Sequence, residues 1–218
     1  MAEQYAIQNP TVGTRSAPDG MEGSRLRSER TGALVIQQLH APYAEECVRG
    51  NIWTASTAVA GVTVTASCVI SALAMPIIGV FNPTGSGRNL VIIKTIVQQM
   101  TLTAVTFVWA GGAAMGLTNA NGVATHINNF TFATAASGGS VARSFLGASI
   151  IGATAPTAFR YVGGAIAGAT AVGEVYSFTE YNDGDIVLSP NTFAGLFADT
   201  ATSAAVVRAA ITWAEVPS

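Results

Sequence analysis

Two long stretches of this chain, residues 50–87 and 95–142, contain no aspartate, glutamate, lysine or arginine. Charged side chains make up 10% of the 218 residues, against about 25% in an ordinary soluble domain. Such stretches are typical of a protein core, of a membrane span or of the centre of a subunit interface. The first question is therefore which of these environments they occupy.

The remaining charges are unevenly placed along the chain. Residues 1–49 hold 11 of them, and residues 174–218 hold seven, of which six are acidic. The residues between carry four, all basic, namely Arg88, Lys94, Arg143 and Arg160. Because the formal net charge is −2, the chain has no overall attraction to nucleic acid, and we expect no nucleic-acid partner.

The best candidate for a membrane span is the apolar run from Val62 to Phe81. Its length is close to the roughly 20 residues that a spanning helix needs. However, threonine alternates with valine from Val62 to Thr65, Pro76 interrupts the run, and no basic cluster flanks it to set an orientation. We therefore expect no contact with a membrane, and a small membrane protein is the last of our alternatives.

Alternation of apolar and polar residues predicts β-strands along most of the chain. Val105, Phe107 and Trp109 share one face of such a strand, and so does every second residue from Val207 to Trp213. The predicted strands are Ala33–Leu39, Asn51–Thr57, Val62–Ala66, Ile77–Phe81, Asn89–Gln98, Ala104–Ala110, Asn129–Ala133, Ala142–Ser149, Ala158–Gly163, Val175–Thr179, Asp185–Leu188, Phe193–Ala198 and Val206–Ala214.

Turn-forming residues separate these strands, and the strand–helix–strand order of a parallel sheet is not visible. We therefore predict an all-β fold, an antiparallel β-sandwich, over residues 32–218. One short helix is predicted near residues 42–49, with Pro42 in its first turn and Gly50 just past its end.

Residues 1–31 have the composition of an extended N-terminal arm. They are rich in Arg, Ser, Gly and Glu and show no hydrophobic period, so that they cannot form a core of their own. The arm is either a plain disordered terminus or a tether that becomes ordered on a partner. In the second case its arginines pair with acidic groups of that partner, namely Arg15, Arg25, Arg27 and Arg30. The first residues lack the apolar run of a signal peptide, which predicts folding in a cytoplasm.

The segment GVFNPTGSGRNLVIIK, residues 79–94, contains the best candidate for a phosphate-binding loop. A P-loop requires four residues between its glycines and then Gly-Lys-Ser/Thr, but five residues separate Gly79 from Gly85 and no lysine follows. A dinucleotide loop requires glycine at position 90, where the chain has Leu90. The β-branched residues that follow predict a strand, so residues 82–87 are predicted to form a turn.

Other catalytic or metal-binding patterns are equally incomplete. The two histidines, His40 and His126, have no acidic neighbour in sequence, and the adjacent Glu45 and Glu46 face different sides of the predicted helix. The cysteines Cys47 and Cys68 are either two buried free thiols or one disulfide. We expect no catalytic residue, no metal and no cofactor, and hence no enzyme.

Three segments of the chain are similar to those of a known family. They are HAPYAEECVRGNIWTAST from residue 40, FNPTGSGRNLVI from residue 81, and DIVLSPNTFAGLFADTATSAAVVRAAITWAEVP from residue 185. All three resemble parts of tailed-bacteriophage virion structural proteins. In this family a Pro/Gly turn leads into a long strand, and the last strand ends on Trp-x-Glu.

The resemblance is to jelly-roll capsid decoration (cement) proteins, and it implies a jelly-roll-like sandwich. It also implies a location on the capsid surface of a virion assembled in the host cytoplasm. The implied partners are the phage major capsid protein and further copies of the chain, as a homotrimer. Arg88 and Lys94 then become possible contacts between subunits, at solvent edges or in salt bridges to a neighbour.

A second hypothesis is a head-fibre or tail receptor-binding module that binds a glycan. Such a module requires exposed aromatic and polar side chains arranged in a cleft. The turn predicted at Asn182 to Asp185 is the place where we expect such a cleft.

Overall fold

We describe the fold from a computed structural model. The structure describes residues 43–71, 74–101, 103–117, 122–123, 126–132, 139–147, 154–165, 176–200 and 205–218. The chain divides into two compact units, Met1–Ala44 and Glu45–Ser218, and all of the described strands belong to the second. The predicted arm, its four arginines, the boundary at residue 32 and the predicted strand Ala33–Leu39 lie outside the described residues.

The described residues form one short helix, one turn of 3-10 helix at Ala66–Cys68, and eleven strands. The helix is α1 (Ala44–Val48), which confirms the helix predicted near residues 42–49. The strands are β1 (Ile52–Ser56), β2 (Val62–Thr63), β3 (Ile78–Asn82), β4 (Arg88–Gln99), β5 (Val105–Ala113), β6 (Ile127–Asn128), β7 (Arg143–Phe145), β8 (Thr157–Ala165), β9 (Ser177–Leu188), β10 (Thr192–Ala198) and β11 (Val206–Pro217).

The strands form two antiparallel sheets, which confirms the predicted all-β sandwich. Sheet 1 has the order β6-β1-β11-β4-β9, and β2 pairs with the first residues of β11. Sheet 2 has the order β7-β3-β10-β5-β8. β11 therefore lies at the centre of sheet 1, although it is the last strand of the chain.

The eight longest strands pair in a nested order. The first pairs with the last (β1 with β11), the second with the seventh (β3 with β10), the third with the sixth (β4 with β9), and the fourth with the fifth (β5 with β8). This is the pairing of one long hairpin that folds back between β5 and β8 and is then wrapped into two sheets. Most of these contacts join residues far apart in sequence.

The main core lies between the two sheets. It contains the inward-facing residues Phe107 and Trp109 of β5 and the alternate residues of β11 that end on Trp213. The alternation predicted for β5 and β11 is thus confirmed. Each fully buried side chain of this size contributes about 1.5 to 3 kcal/mol of hydrophobic stabilisation, so the inter-sheet core dominates the free energy of folding.

A second cluster of buried apolar side chains packs around sheet 2. Its largest members are Phe81, Phe145, Phe193 and Phe197, and Phe193 meets Phe145 edge to face. All five residues of β3 are buried as a result. This explains why β3 has a continuous apolar sequence rather than an alternating one.

The turn predicted at residues 82–87 is confirmed. It joins β3 of sheet 2 to β4 of sheet 1, and both Gly85 and Gly87 have positive φ angles, 75° and 65°. The buried Asn82 side chain closes the turn, because its Nδ2 atom donates to the carbonyl oxygens of Arg88 at 2.7 Å and Leu188 at 2.8 Å.

Two strand predictions are wrong. The chain turns at residues 129–131 instead of forming the strand Asn129–Ala133, because Asn128 Oδ1 accepts hydrogen bonds from the backbone of Phe130 and Thr131. The two strands predicted at 175–179 and 185–188 are one strand, β9. Its residues 182–185 form a wide bulge that lies opposite Ile93 of β4.

The apolar run from Val62 to Phe81 contains β2, the 3-10 turn and most of β3 in its described part. Across the described ranges, no helix has the length and apolarity needed to cross a membrane. Both cysteines are free, Cys68 buried and Cys47 partly exposed, so the disulfide alternative is wrong.

We predict that Asn82→Ala lowers the free energy of unfolding by about 1 to 3 kcal/mol, because the carbonyl oxygens of Arg88 and Leu188 each lose a hydrogen bond from its side chain. Urea unfolding measures the change. Thr84→Ala, at an exposed position of the same turn, is the matched control and changes the free energy by less than about 0.5 kcal/mol. An equal, small effect of both substitutions would show that Asn82 does not hold the turn.

Candidate functional site

The two residues predicted at subunit contacts lie on the same strand, β4, but in different surroundings. Arg88 begins the strand, and its Nη1 atom lies 3.9 Å from Oε2 of Glu215, a buried residue of the same chain. Lys94 lies on the outer face of sheet 1 and forms no ion pair with a described residue. Lys94 therefore remains available to a partner, whereas Arg88 already has an internal one.

Lys94 belongs to a flat patch of nine side chains on the outer face of sheet 1, which we call the outer patch. The strand registers place three rows of residues side by side across β11, β4 and β9. The rows are Thr212–Lys94–Tyr181, Ala210–Ile96–Thr179 and Arg208–Gln98–Ser177.

The outer patch is apolar or neutral except at two of its positions. Tyr181 is 69% exposed and Ile96 is 40% exposed, and both point away from the core. Lys94 and Arg208 are its charged members, and it contains no acidic residue. A shallow depression of about 240 Å³ lies beside Ile96 and Arg208 and extends to Ser56 of β1. This surface fits contact with another protein, because it combines the exposed side chains of Ile96 and Tyr181 with few charges.

A polar cluster joins the two sheets where their edge strands, β8 and β9, lie near each other. Arg160 of β8 donates from Nη1 to Glu180 at 3.2 Å and to Asn182 at 3.1 Å, and from Nη2 to Asp185 at 2.7 Å. Trp109 of β5 donates from Nε1 to the other Glu180 oxygen at 2.6 Å. We call these five residues the Arg160 cluster.

The Arg160 cluster accounts for the bulge in β9. The additional residues between Tyr181 and Ile186 bring Asn182 and Asp185 within reach of one guanidinium group. The hydrogen bond with Asp185 raises the pKa of Arg160, so that its guanidinium group stays charged at any ordinary pH. Asp183 and Gly184 absorb the bend with positive φ angles of 42° and 92°.

An exposed aromatic side chain contacts this cluster. The ring of Phe159 is half exposed and stacks on Trp109 with a centroid distance of 6.5 Å. Tyr161 follows Arg160 and Tyr181 follows Glu180, so the alternation of the strands turns both exposed rings away from the cluster. The cleft that the glycan hypothesis places at residues 182–185 stays a prediction.

Glu215 is a buried carboxylate that the sequence reasoning did not consider. Its side chain is 0% exposed and accepts hydrogen bonds from Ser140 Oγ at 2.6 Å, from the backbone of Val141 at 3.0 Å and from Trp213 Nε1 at 3.3 Å. It thereby ties the segment before β7 to β11. The sequence carries a signal for the burial of this residue. Every second residue of β11 faces the core, and this inward face includes Trp213 and continues to residue 215.

His126 and Ser144 form a hydrogen-bonded pair inside the protein. Nε2 of His126 lies 3.1 Å from Ser144 Oγ, and the ring meets Trp213 edge to face at 4.9 Å. Burial lowers the pKa of His126 to about 4, the charge of Arg143 acts in the same direction, and the backbone of Val123 opposes both. Both residues of the pair are buried, which indicates that the pair contributes to the packing of the protein interior.

In the part of the chain that the structure describes, no three His, Cys, Asp or Glu side chains are placed to hold a metal ion. The turn at residues 82–87 leads into β4 and not into a helix, so it does not present the backbone donors of a phosphate loop. The predicted partner contacts of the arm, Arg15, Arg25, Arg27 and Arg30, lie outside the described residues.

Comparison with protein-family models, with curated protein sequences and with solved structures finds no match to this chain. The functional interpretation therefore rests on the geometry of the fold and of its exposed surfaces.

We predict that acid destabilises the protein through His126. Its pKa in the folded state, about 4, is below the unfolded value of 6.5, so its stabilising contribution is complete above pH 6.5 and is lost as the pH falls towards 4. Between pH 7.5 and pH 4.5 this residue removes about 2 to 3 kcal/mol from the free energy of unfolding.

Urea unfolding at the two pH values provides the measurement. His126→Gln, which can still bond to Ser144, loses this part of the pH dependence. His40→Gln, at the only other histidine of the chain, keeps it. The assignment is wrong if the His126→Gln variant shows the same loss of stability at pH 4.5 as the unchanged protein.

Proposed function

We propose that this protein is a non-enzymatic structural component of a tailed-bacteriophage virion, which decorates and cements the capsid through subunit–subunit contacts. Its partners are the phage major capsid protein and further copies of itself, arranged as a homotrimer. It is assembled into the virion in the host cytoplasm and lies on the capsid surface.

The observation that carries the proposal is the apolar character of the exposed surface. Within the described ranges, thirteen large hydrophobic side chains are more than a third exposed. They are Val48, Val59, Ile96, Met100, Val123, Ile127, Phe130, Phe132, Phe159, Tyr161, Tyr176, Tyr181 and Val187. Exposed apolar side chains in this number, in a chain with so few charges, favour a surface that partners cover.

The strand order supports the proposal. We assign the nested pairing of the eight long strands to a jelly roll, an architecture that capsid proteins share with lectin domains. Because a fold alone does not determine a function, this support is secondary to that of the surface. The resemblance to cement proteins adds to it, since its three segments correspond to α1 with β1, the turn before β4, and the C-terminal strands.

The N-terminal arm supplies the second kind of contact in the proposal. Residues 1–31 hold eight of the 22 charged side chains of the chain. An arm that orders on the capsid adds many contacts without enlarging the folded domain, at an entropic cost that those contacts offset. Arginines are suited to this role because the geometry of a guanidinium group matches that of a carboxylate in a bidentate pair.

We predict that deletion of residues 1–31 weakens binding to purified capsids by tenfold or more, about 1.4 kcal/mol, while the β-sandwich stays folded. Co-sedimentation with capsids measures the binding, circular dichroism checks the fold, and native mass spectrometry counts the copies. Replacing the four arm arginines by serine has the same effect. Replacing Asp19, Glu22 and Glu29 by serine is the matched control and leaves binding intact. Full binding by the truncated protein would remove the arm from the proposal.

A glycan-binding head-fibre or tail module is the second candidate function. It is favoured by one observation, the half-exposed ring of Phe159, which stacks on Trp109 of the Arg160 cluster. Aromatic faces next to charged hydrogen-bonding groups suit the apolar and hydroxyl faces of a sugar.

We predict for this candidate that the protein binds members of a glycan array and that Phe159→Ser lowers the signal at least about tenfold, since the sugar loses its stacking partner. Phe132→Ser is the control, because Phe132 is exposed but follows β6 at the opposite edge of sheet 1. An array without hits, or equal loss in both variants, counts against glycan binding.

A further inference from the structure

The outer patch has the shape of a docking surface for another flat protein surface. Ile96 lies at its centre, between the small side chains Ala210 and Thr179 on the neighbouring strands. Side chains of this size allow a second layer to approach to about 10 Å, the usual distance between packed sheets. Around β3 and β10 the outer side of sheet 2 is buried in the second apolar cluster of the same chain, whereas at this patch sheet 1 is exposed.

The charges of the outer patch determine which charges a partner surface must present. Lys94 and Gln98 are four residues apart on β4, and Arg208 lies opposite Gln98. The two cations are thus separated by about 13 Å along the strand direction. Neither forms an ion pair with a described residue, although the chain has more acidic than basic residues. Arg208 is nevertheless held in place, because its Nε atom donates to the carbonyl oxygen of Val59.

A second copy of the same patch does not supply the complementary charges. The patch contains Lys94 and Arg208 and no acidic residue, so contact between two copies of it pairs neither cation with a carboxylate. Electrostatic complementarity across an interface requires groups of opposite charge. The patch therefore favours a different surface, with carboxylates at two positions and an apolar centre.

We propose that the outer patch is the surface through which this protein docks onto the major capsid protein, with Lys94 and Arg208 each facing a carboxylate of that partner. This assignment rests on the proposed function and specifies its contact surface. The ion pairs set the register of docking, and Ile96 and Tyr181 supply the apolar contact.

Lys94 is the only lysine of the chain, and this permits a direct test. A carbodiimide converts a carboxylate of the partner into an O-acylisourea, the Lys94 amine attacks its carbonyl carbon, and an amide forms as the urea leaves. We predict that carbodiimide treatment of the capsid complex joins the two proteins at Lys94, which mass spectrometry identifies. Lys94→Arg keeps the charge and the binding but loses this cross-link.

The double variant Lys94→Glu with Arg208→Glu is predicted to bind purified capsids about tenfold more weakly or worse, with less dependence on salt. Arg49→Glu, just after α1 and outside the patch, is the matched control and binds normally. Each double-variant sample is first checked by circular dichroism and urea unfolding, and single variants replace it if it does not fold.

The outcomes of these experiments test the docking surface separately from the proposed function. If the unchanged protein binds capsids and the charge-reversed variants bind equally well, the patch assignment is overturned and the proposed function survives. If carbodiimide joins Lys94 to a second copy in the absence of capsids, the patch is an interface between copies and the assignment fails. If the unchanged protein does not bind capsids at all, both the function and the assignment fail.

Discussion

The fold depends on the position of β11 at the centre of sheet 1. This last strand joins β1 and β2 on one side to β4 on the other, so sheet 1 is not continuous until the C-terminal residues are in place. The same strand carries Trp213 into the core and Glu215 to the backbone before β7. Because its partners are far away in sequence, folding requires many non-local contacts and is expected to be cooperative and slow.

Local sequence patterns predicted the elements whose structure depends on residues close together in the sequence. The alternation of β5 and β11 and the turn at residues 82–87 follow from side-chain period and from glycine at positive φ. The bulge of β9 was not predictable in this way. Asn182 to Asp185 has the composition of a turn between strands, and only Arg160, which is supplied by another strand, holds it within one continuous strand.

The candidate site likewise combines features that local sequence predicts with features that depend on distant strands. Lys94 was identified because it is a rare charge in a neutral region, but its neighbours Tyr181 and Thr212 come from strands that lie much further along the chain. These residues are neighbours because of the register in which the strands pair, and that register is set by long-range packing. Arg88 was also identified as a rare charge, but its ion-pair partner is the buried Glu215. Glu215 is buried because of the alternation of inward and outward residues along β11. This strand lies next to β4 in space, although it is far from β4 in sequence.

The two sheets differ in how their outer faces are treated, and this difference connects the sequence with the proposed function. The chain itself buries the outer side of sheet 2 around β3 and β10, in the cluster that contains Phe81, Phe193 and Phe197, and these two strands carry no charged residue. The outer patch of sheet 1 also lacks acidic residues, and Lys94 and Arg208 are its charged members, but the described residues leave it exposed. A strand face with so few charges that the chain itself does not cover is explained if another protein covers it, and the two unpaired cations then restrict that protein to one that presents carboxylates.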